Sequence, residues 1–268
     1  MPALGRMGCG GFGRMGAVGI ASYNAMALYD PLASLGSDLL AWWDADPRYW
    51  GTSGNIVNGP TRVSSWLDIV GGFSLSNSDV TEGSRPLHSL TSFNGEPGVT
   101  FDGIDDTLVA AQVFSLPTGA SPCDVWVLCQ QDATSGTRVP FFYGGSGQPT
   151  SRHLKRALGS TPSRAQATIG DGGASALSVT GTLVDFFGRH VVRAQFGGTT
   201  TELTVSGTDE GSVAIVPGTA TTVTRMGAQN SGAINFWQGQ IAAVLVTNPL
   251  SADTAAGLQS WLNLRRRL

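Results

Sequence analysis

Short apolar runs separated by turn residues recur along most of this 268-residue chain, and they constrain its fold more than any other feature. The runs are rich in β-branched and aromatic residues, and glycine, proline, asparagine and serine stand between them. With 37 glycines and only 13% charged residues, the composition is typical of short strands joined by many turns. No helical segments alternate with these runs. We therefore predict an all-β fold, a two-sheet antiparallel jelly-roll sandwich.

The predicted strands follow one another at regular intervals from residue 38 onward. Asp102-Gly103 is a turn signal, and we expect hairpin-like pairing between the strands on its two sides, 99–101 and 107–114. The predicted strands are 38–46, 63–67, 99–101, 107–114, 124–130, 138–143, 165–169, 177–180, 190–196, 201–205, 212–216, 222–226 and 240–247.

The last element is predicted to be a short C-terminal helix. Ser251 is a suitable N-cap, and Asp253 complements the positive end of the helix. The face that we expect to be buried carries Ala255, Leu258, Trp261 and Leu262. The arginine run 265–267 lies at the C-terminal end, where each cation contributes about 0.3 to 1 kcal/mol. We interpret this run as helix-terminus electrostatics on a solvated surface.

Charge and cysteine content exclude several classes of function. The net charge of −3 gives no basic field, so we expect no nucleic-acid partner, and no apolar stretch is long enough for membrane insertion. Cys123 and Cys129 are six residues apart in one predicted strand, about 20 Å, which is too far for a disulfide. Neither these cysteines nor Cys9 has the spacing of a metal site. Because the three cysteines do not form a disulfide framework, we expect a reducing compartment, the cytoplasm.

Residues 1–37 form an arm that differs from the rest of the chain. The tetrapeptide Gly-Arg-Met-Gly occurs twice in it, and few apolar side chains accompany the repeats. Such a segment cannot offset about 1 to 2 kcal/mol of backbone entropy per residue by itself, so we expect a partner chain to supply buried surface. Met and Phe side chains would bury apolar area, and Arg side chains would bind carboxylates or carbonyls. The predicted partner contacts are Arg6, Met7, Phe12, Arg14 and Met15.

Several stretches of the remaining chain resemble concanavalin A-like (laminin-G-like) jelly-roll domains of phage and bacterial surface proteins. They are LAWWDAD at 40–46, VSSWLD at 63–68, Arg85-Pro86, NGEPGVTFDGIDD at 94–106 and FWQGQIAAVLV at 236–246, followed by Leu250-Ser251 and the helix. They bracket one domain, 38–268. The Gly-rich arm is similar to the leaders of tailed-phage virion proteins.

The resemblance implies a structural protein of a phage-like virion, as a capsid decoration, a head fibre or a tail or baseplate component. The arm would bind other virion proteins, and the lectin-like domain would be displayed for attachment to a host-surface glycan. We expect a homo-oligomer that is located in the virion and assembled in the host cytoplasm. Two alternatives remain, a free carbohydrate-binding module and a glycan-degrading hydrolase.

A glycosidase of this family would carry a catalytic strand with paired glutamates. The two carboxyl groups must face one cleft about 5 to 5.5 Å apart in a retaining enzyme. The glutamates of this chain, Glu82, Glu96, Glu202 and Glu210, are not spaced two or four residues apart. We therefore expect no catalytic residues and no enzymatic activity, although aspartates leave a different mechanism open.

The acidic cluster Asp102, Asp105 and Asp106 has two interpretations. Laminin-G-like domains bind Ca²⁺ through aspartates near their rim, and hard oxygen ligands suit this ion. Turn chemistry alone explains Asp102-Gly103, however. We favour a strand-turn-strand corner and expect no cofactor, with Ca²⁺ as the alternative.

Aromatic and planar polar side chains in loops are the candidates for glycan binding. Tyr49 and Trp50 lie in a loop where an exposed stacking platform could form. A second candidate rim contains Tyr143, Arg152 and His153. The other tryptophans fall in predicted strands or on the helix face, so we expect them in the core.

Overall fold

The computed structural model describes the chain from residue 29 onward, with gaps. The described ranges are 29–50, 56–58, 62–77, 82–110, 116–132, 136–145, 151–156, 164–170, 172, 176–182, 188–220, 223–229 and 234–267. The predicted partner contacts Arg6, Met7, Phe12, Arg14 and Met15 lie outside these residues, as does Cys9.

The described elements are mostly strands. The strands are β1 Leu39–Asp44, β2 Ile56–Asn58, β3 Val63–Leu67, β4 Ser74–Ser76, β5 Leu87–Phe93, β6 Glu96–Asp102, β7 Leu108–Ala110, β8 Cys123–Gln131, β9 Arg138–Gly144, β10 Ser151–Arg156, β11 Ala165–Gly170, β12 Ala176–Thr180, β13 Gly188–Phe196, β14 Thr200–Val205, β15 Thr208–Ala214, β16 Val223–Met226 and β17 Gln238–Thr247. The helices are α1 Pro31–Leu35 and α2 Ala252–Arg267, with 3-10 turns at Gly36–Asp38, Pro47–Tyr49 and Glu82–Ser84.

These strands form two antiparallel sheets. Sheet A has the order β15-β14-β13-β8-β17-β6-β5, and β1 also pairs with β17. Sheet B has the order β12-β11-β10-β9-β16-β7-β4-β3-β2. The predicted all-β jelly-roll sandwich with a short C-terminal helix is thus confirmed.

The Asp102-Gly103 turn joins the two sheets, and the predicted hairpin across it is wrong. β6 pairs with β5 and β17 in sheet A, whereas β7 pairs with β16 and β4 in sheet B. Gly103 has φ +80°, a left-handed conformation that glycine adopts without steric cost. The turn is therefore a corner of the sandwich, as the corner interpretation of the acidic cluster requires.

The main core lies between the sheets and follows the alternation of the strands. In β8, Val125 and Val127 point into the sandwich, while Trp126 and Leu128 point to the outer face of sheet A. The six tryptophans expected in the core are all fully buried. They are Trp42, Trp43, Trp66, Trp126, Trp237 and Trp261.

Helix α2 packs on the outer face of sheet A and forms a second core there. Its Leu258, Trp261 and Leu262 are buried against Trp42 and Trp126 of the sheet. The helix covers only one half of the outer face of sheet A, because an amphipathic helix buries a single face. A groove therefore lies between the helix and the uncovered strands.

The arginine run at the end of α2 is not wholly a solvated surface, which corrects that interpretation. Arg265 is 1% exposed, and its Nη1 and Nη2 donate to Asp44 Oδ2 at 2.6 Å and Oδ1 at 2.9 Å. The guanidinium also lies over the rings of Tyr49 and Trp261, 5.4 and 5.0 Å from their centroids. A buried bidentate ion pair therefore fastens α2 to β1.

The last residues of the predicted arm lie against the sandwich. The Tyr29 ring is 5.8 Å from that of Trp261, and Leu35 of α1 is 5% exposed within the second core. Tyr29 and Leu35, which belong to the predicted arm, therefore pack with the sandwich.

Among the described residues, neither helix is both long enough and apolar enough to span a bilayer.

Candidate functional site

A groove of about 510 Å³ lies on the outer face of sheet A, beside α2. It runs between the helix and the strands β13, β14 and β15. The side chains that give it chemistry are Trp126, Arg193, Gln195, Thr204, Asp209 and Gln259. An open cleft with a few convergent polar groups is the usual form of a ligand site.

Strand alternation places the polar side chains of the groove on one face. Arg193 pairs with Trp126 across β13 and β8, and with Thr204 across β13 and β14. Gln195 is two positions further along β13 and therefore shares their face. The inward residues of β13, Val192 and Ala194, are buried in the main core, so the polar residues must face outward.

Arg193 is held rigidly at the centre of the groove. Its guanidinium lies 4.7 Å above the Trp126 ring, and Nη2 donates to Asp124 Oδ2 at 2.7 Å and to Gln195 Oε1 at 3.2 Å. Burial raises the pKa of Asp124, and the charge and hydrogen bond of Arg193 oppose that shift. Stacking and ion pairing thus fix the fork of Arg193 before any ligand arrives.

The helix supplies the opposite wall of the groove. Ala252 and Ala256 line it with small side chains, and Gln259 follows along the same helix face. Gln259 Nε2 is buried and has no hydrogen-bond partner. A side chain on Gly207 would approach Gln259 Cγ to 3.8 Å, so the β14–β15 turn meets the helix here. A buried amide donor without a partner costs free energy, and a ligand hydroxyl that reaches it from the cleft would recover that cost.

The structure does not place the second predicted glycan rim on the surface. Tyr143, Arg152 and His153 are 1%, 0% and 1% exposed. β10 is a strand within sheet B rather than a loop, and Arg152 points into the sandwich beside its pair Tyr143. No surface remains on these side chains for stacking against a sugar ring.

Arg152 instead stabilises the interior of the sandwich through hydrogen bonds. Its nitrogens donate to Thr219 Oγ1 at 2.7 Å, Ser121 O at 2.7 Å, Gly119 O at 3.1 Å and Cys123 Sγ at 3.0 Å. These partners lie on β8 and on two connecting segments, so one side chain ties both segments to the core.

Tyr49 and Trp50 anchor their loop. Trp50 Nε1 donates to Asp44 O at 2.9 Å, and the Trp50 ring lies 5.5 Å from that of His88. Tyr49 packs between Trp42 and Trp261, at 5.1 and 5.7 Å. Both keep partial exposure, and glycan binding by them stays a prediction.

The carboxylates of Asp102, Asp105 and Asp106 converge at the corner between the sheets. Asp102 Oδ1 accepts from the backbone of Ile104 at 2.8 Å, and Asp106 Oδ2 accepts from Asp102 N at 2.8 Å. Burial raises the pKa of Asp106 to about 7. Turn hydrogen bonds thus use part of the oxygen set that a Ca²⁺ ion would need. The absence of a bound cation stays a prediction.

Sequence reasoning did not single out the groove. Trp126, Arg193, Gln195 and Thr204 lie in predicted strands, but nothing in the local pattern shows which face the C-terminal helix leaves open. The alternation of Arg193 and Gln195 with apolar residues was the available signal, because it predicts one polar strand face.

Solved structures share this fold. The chain is similar to an arabinofuranosidase complexed with arabinofuranosyl-alpha-1,2-xylobiose, at 13% identity and TM-score 0.60 over 76% of this chain and 51% of that chain. It is similar to Trypanosoma rangeli sialidase in complex with sialic acid, at 13% identity and TM-score 0.55 over 91% of this chain and 37% of that chain. The chain thus spans about half or less of each protein, and the likeness is one of fold. No family model and no curated protein matches the sequence.

The expectation that this chain is not an enzyme was wrong. It rested on the absence of a glutamate pair, yet the solved proteins with this fold include glycoside hydrolases, an arabinofuranosidase and a sialidase. The missing pair therefore does not exclude glycoside chemistry. The jelly-roll resemblance is confirmed for the fold, and the phage origin stays a prediction.

Proposed function

We propose that this chain is a carbohydrate-binding protein whose ligand occupies the groove beside α2. The observation that carries the proposal is the alignment of fixed planar polar groups along one cleft. Arg193 is held by Asp124 and Trp126, and Gln259, on the groove wall, has a buried amide donor without a partner. Guanidinium and amide groups suit sugar hydroxyls, which donate and accept at fixed angles. Support also comes from the fold, which glycoside-acting proteins share.

The test is a glycan array followed by calorimetry on the best ligand. Ala256→Trp would fill the groove from the exposed side of the helix without removing a core contact, and Gln259→Ala would remove the amide. We expect at least tenfold weaker binding for each variant. Gln166→Ala removes an amide on sheet B and should bind normally.

Binding that is unchanged in Ala256→Trp would place the ligand elsewhere, and no binding to any glycan would refute the proposal. The same oligosaccharides should be incubated with the protein and assayed for new reducing ends, because glycoside hydrolases share this fold. If reducing ends appear in wild type but not in Ala256→Trp, the groove is an active site.

A second proposal concerns assembly and rests on the Gly-Arg-Met-Gly repeats of the arm. We propose that the arm attaches the domain to a phage-like particle, in which the sandwich displays the glycan site to a host surface. Deletion of residues 2–28 should abolish incorporation into the particle and leave glycan binding intact. The deletion stops at 28 because Tyr29 and Leu35 pack on the sandwich. Normal incorporation of the deletion variant would refute this proposal.

A further inference from the structure

Three arginine side chains come together beside the groove, and we call Arg189, Arg266 and Arg267 the arginine cluster. Arg266 Nη1 donates to Ser206 Oγ at 2.5 Å, which holds the end of α2 against the β14–β15 turn. Burial lowers the pKa of Arg266, and so do the charges of Arg267 and Arg189. Ser206 N in turn donates to Val191 O of β13 at 2.7 Å, and Val191 packs in the second core against α2. Arg189 lies two residues before Val191 on the same outer face of β13, so the end of α2 and the start of β13 bring the three arginines together.

The arginine cluster lacks the carboxylates that accompany other arginines of this protein. Arg48, Arg62, Arg193 and Arg265 each form a salt bridge with an aspartate. Within the described ranges, no salt bridge joins a carboxylate to a member of the cluster. In addition, Arg189 Nη1 is buried and has no hydrogen-bond partner. Neighbouring cations without a counter-charge repel one another, and an anionic ligand would relieve that repulsion.

The helix terminus alone does not explain this arrangement. Arg266 and Arg267 lie in the last turn of α2, where the helix dipole favours cations. Arg189 belongs to the start of β13, and no helix end accounts for its place there. Because Arg189 comes from a strand, the interaction of cations with the helix dipole cannot explain its positive charge here. An anionic ligand would explain all three charges.

The cluster continues the groove in space. Ala252, Ala256 and Gln259 line the groove along one face of α2, and Arg266 follows Gln259 by about two turns on the same face. On the opposite side, Gly207 lines the groove and its neighbour Ser206 binds Arg266. A ligand that extends along the helix therefore reaches the cluster.

Building on the proposed function, we infer that the groove binds an acidic glycan whose carboxylate or sulfate lies at the arginine cluster. The planar forks of Arg266 and Arg189 match the paired oxygens of such groups. The groove wall also carries one carboxylate, Asp209, whose Oδ1 accepts from Gly211 N at 2.9 Å. One acidic group does not offset three arginines, so an anionic ligand is still favoured at this end.

The experiment compares glycans that differ only in one acidic group. Full-length protein is titrated with a chondroitin 4-sulfate oligosaccharide, with its desulfated form and with the methyl ester of the desulfated form. The glycan array adds pairs of neutral and acidic glycans that are built on other sugar chains. We expect the acidic member of a bound pair to bind at least tenfold more tightly, with a preference that falls as salt is raised. The sulfated and carboxylate-only forms identify which group is bound.

Arg189→Gln/Arg266→Gln should bind both members of the pair with the affinity of the neutral glycan. Arg62→Gln, directly before β3 of sheet B, removes a similar charge far from the groove in the sheet order and should keep the preference. Circular dichroism checks that the double variant is folded. Equal affinity of wild type for acidic and neutral members would overturn the inference while the proposed function stands. No binding to any glycan would refute both, and a preference that persists in the double variant would place the acidic group elsewhere.

Discussion

A few single residues with buried charges are expected to contribute strongly to the stability of this protein. Asp44 and Arg265 are 0% and 1% exposed, and Arg152 is fully buried between the sheets. A buried ion that loses its partner keeps its desolvation cost, so these positions should be far more sensitive than surface charges.

Arg265→Met should lower the free energy of unfolding by about 3 to 5 kcal/mol, because Asp44 would be left buried without its partner. Asp44→Asn/Arg265→Met should recover part of that loss, because neither charge remains. Urea unfolding of the two variants measures this difference. Arg267→Met is the matched control, since Arg267 is exposed, and it should stay within about 0.5 kcal/mol of wild type. A small effect of Arg265→Met would show that the ion pair does not hold α2.

Asp106 should make the protein less stable as the pH rises. Burial raises its pKa from 3.8 to about 7 in the folded state. Its protonated form therefore stabilises the fold below the unfolded pKa, and this contribution is lost as the pH rises through about 7. The slope between these values is at most about 1.4 kcal/mol per pH unit.

Asp106→Asn should flatten this slope and raise the melting temperature at pH 8, because an amide oxygen still accepts from Asp102 N. Thermal melts from pH 4 to pH 8 provide the measurement. Asp105→Asn changes an exposed neighbour in the same corner and should leave the slope in place. A slope that persists in Asp106→Asn would assign it to another group.

At the scale of elements, the close pairing of β17 with β8 depends on a glycine. Gly239 has φ +139°, and a side chain there would lie 2.1 Å from Gln130 O of β8. The obstacle is backbone, so it cannot be avoided by a rotamer change.

Gly239→Ala should cost at least about 2 kcal/mol in unfolding experiments, through both the clash and the backbone conformation. Gly198→Ala is the matched control, because nothing lies within 4 Å of the added group. Equal stability of the two variants would contradict this prediction, because it would mean that β17 and β8 can move apart at Gly239 without a cost in free energy.

The elements also show where prediction from sequence succeeds and where it stops. Alternation identified β8 and β13 almost to their ends, because the inward face of each is mostly apolar. It missed β10, whose sequence SRHLKR is basic and polar. The partners that bury Arg152, such as Gly119 and Thr219, are more than thirty residues away, and no local pattern reveals them. The groove was missed for the same reason, since it forms only where α2 meets strands far from it in sequence.

At the scale of the whole molecule, the described residues from Tyr29 onward pack with the sandwich, and the predicted partner contacts come from the sequence before Tyr29. We expect that the full chain forms an oligomer through contacts of residues 1–28, and that the deletion variant lacking 2–28 is monomeric with an unchanged melting temperature. Light scattering after size exclusion measures the mass of each. Arg6→Ala/Phe12→Ala/Arg14→Ala should reproduce the deletion if these side chains make the contacts. A full-length monomer would contradict the expected assembly.

The position of β17 has a consequence for synthesis of the protein. This last strand lies in the middle of sheet A, between β8 on one side and β1 and β6 on the other. A nascent chain that has released β1 through β16 from the ribosome still lacks the strand that joins the two halves of that sheet. The sandwich therefore closes only after residue 247 has emerged, so sheet A cannot be completed during translation of the preceding strands.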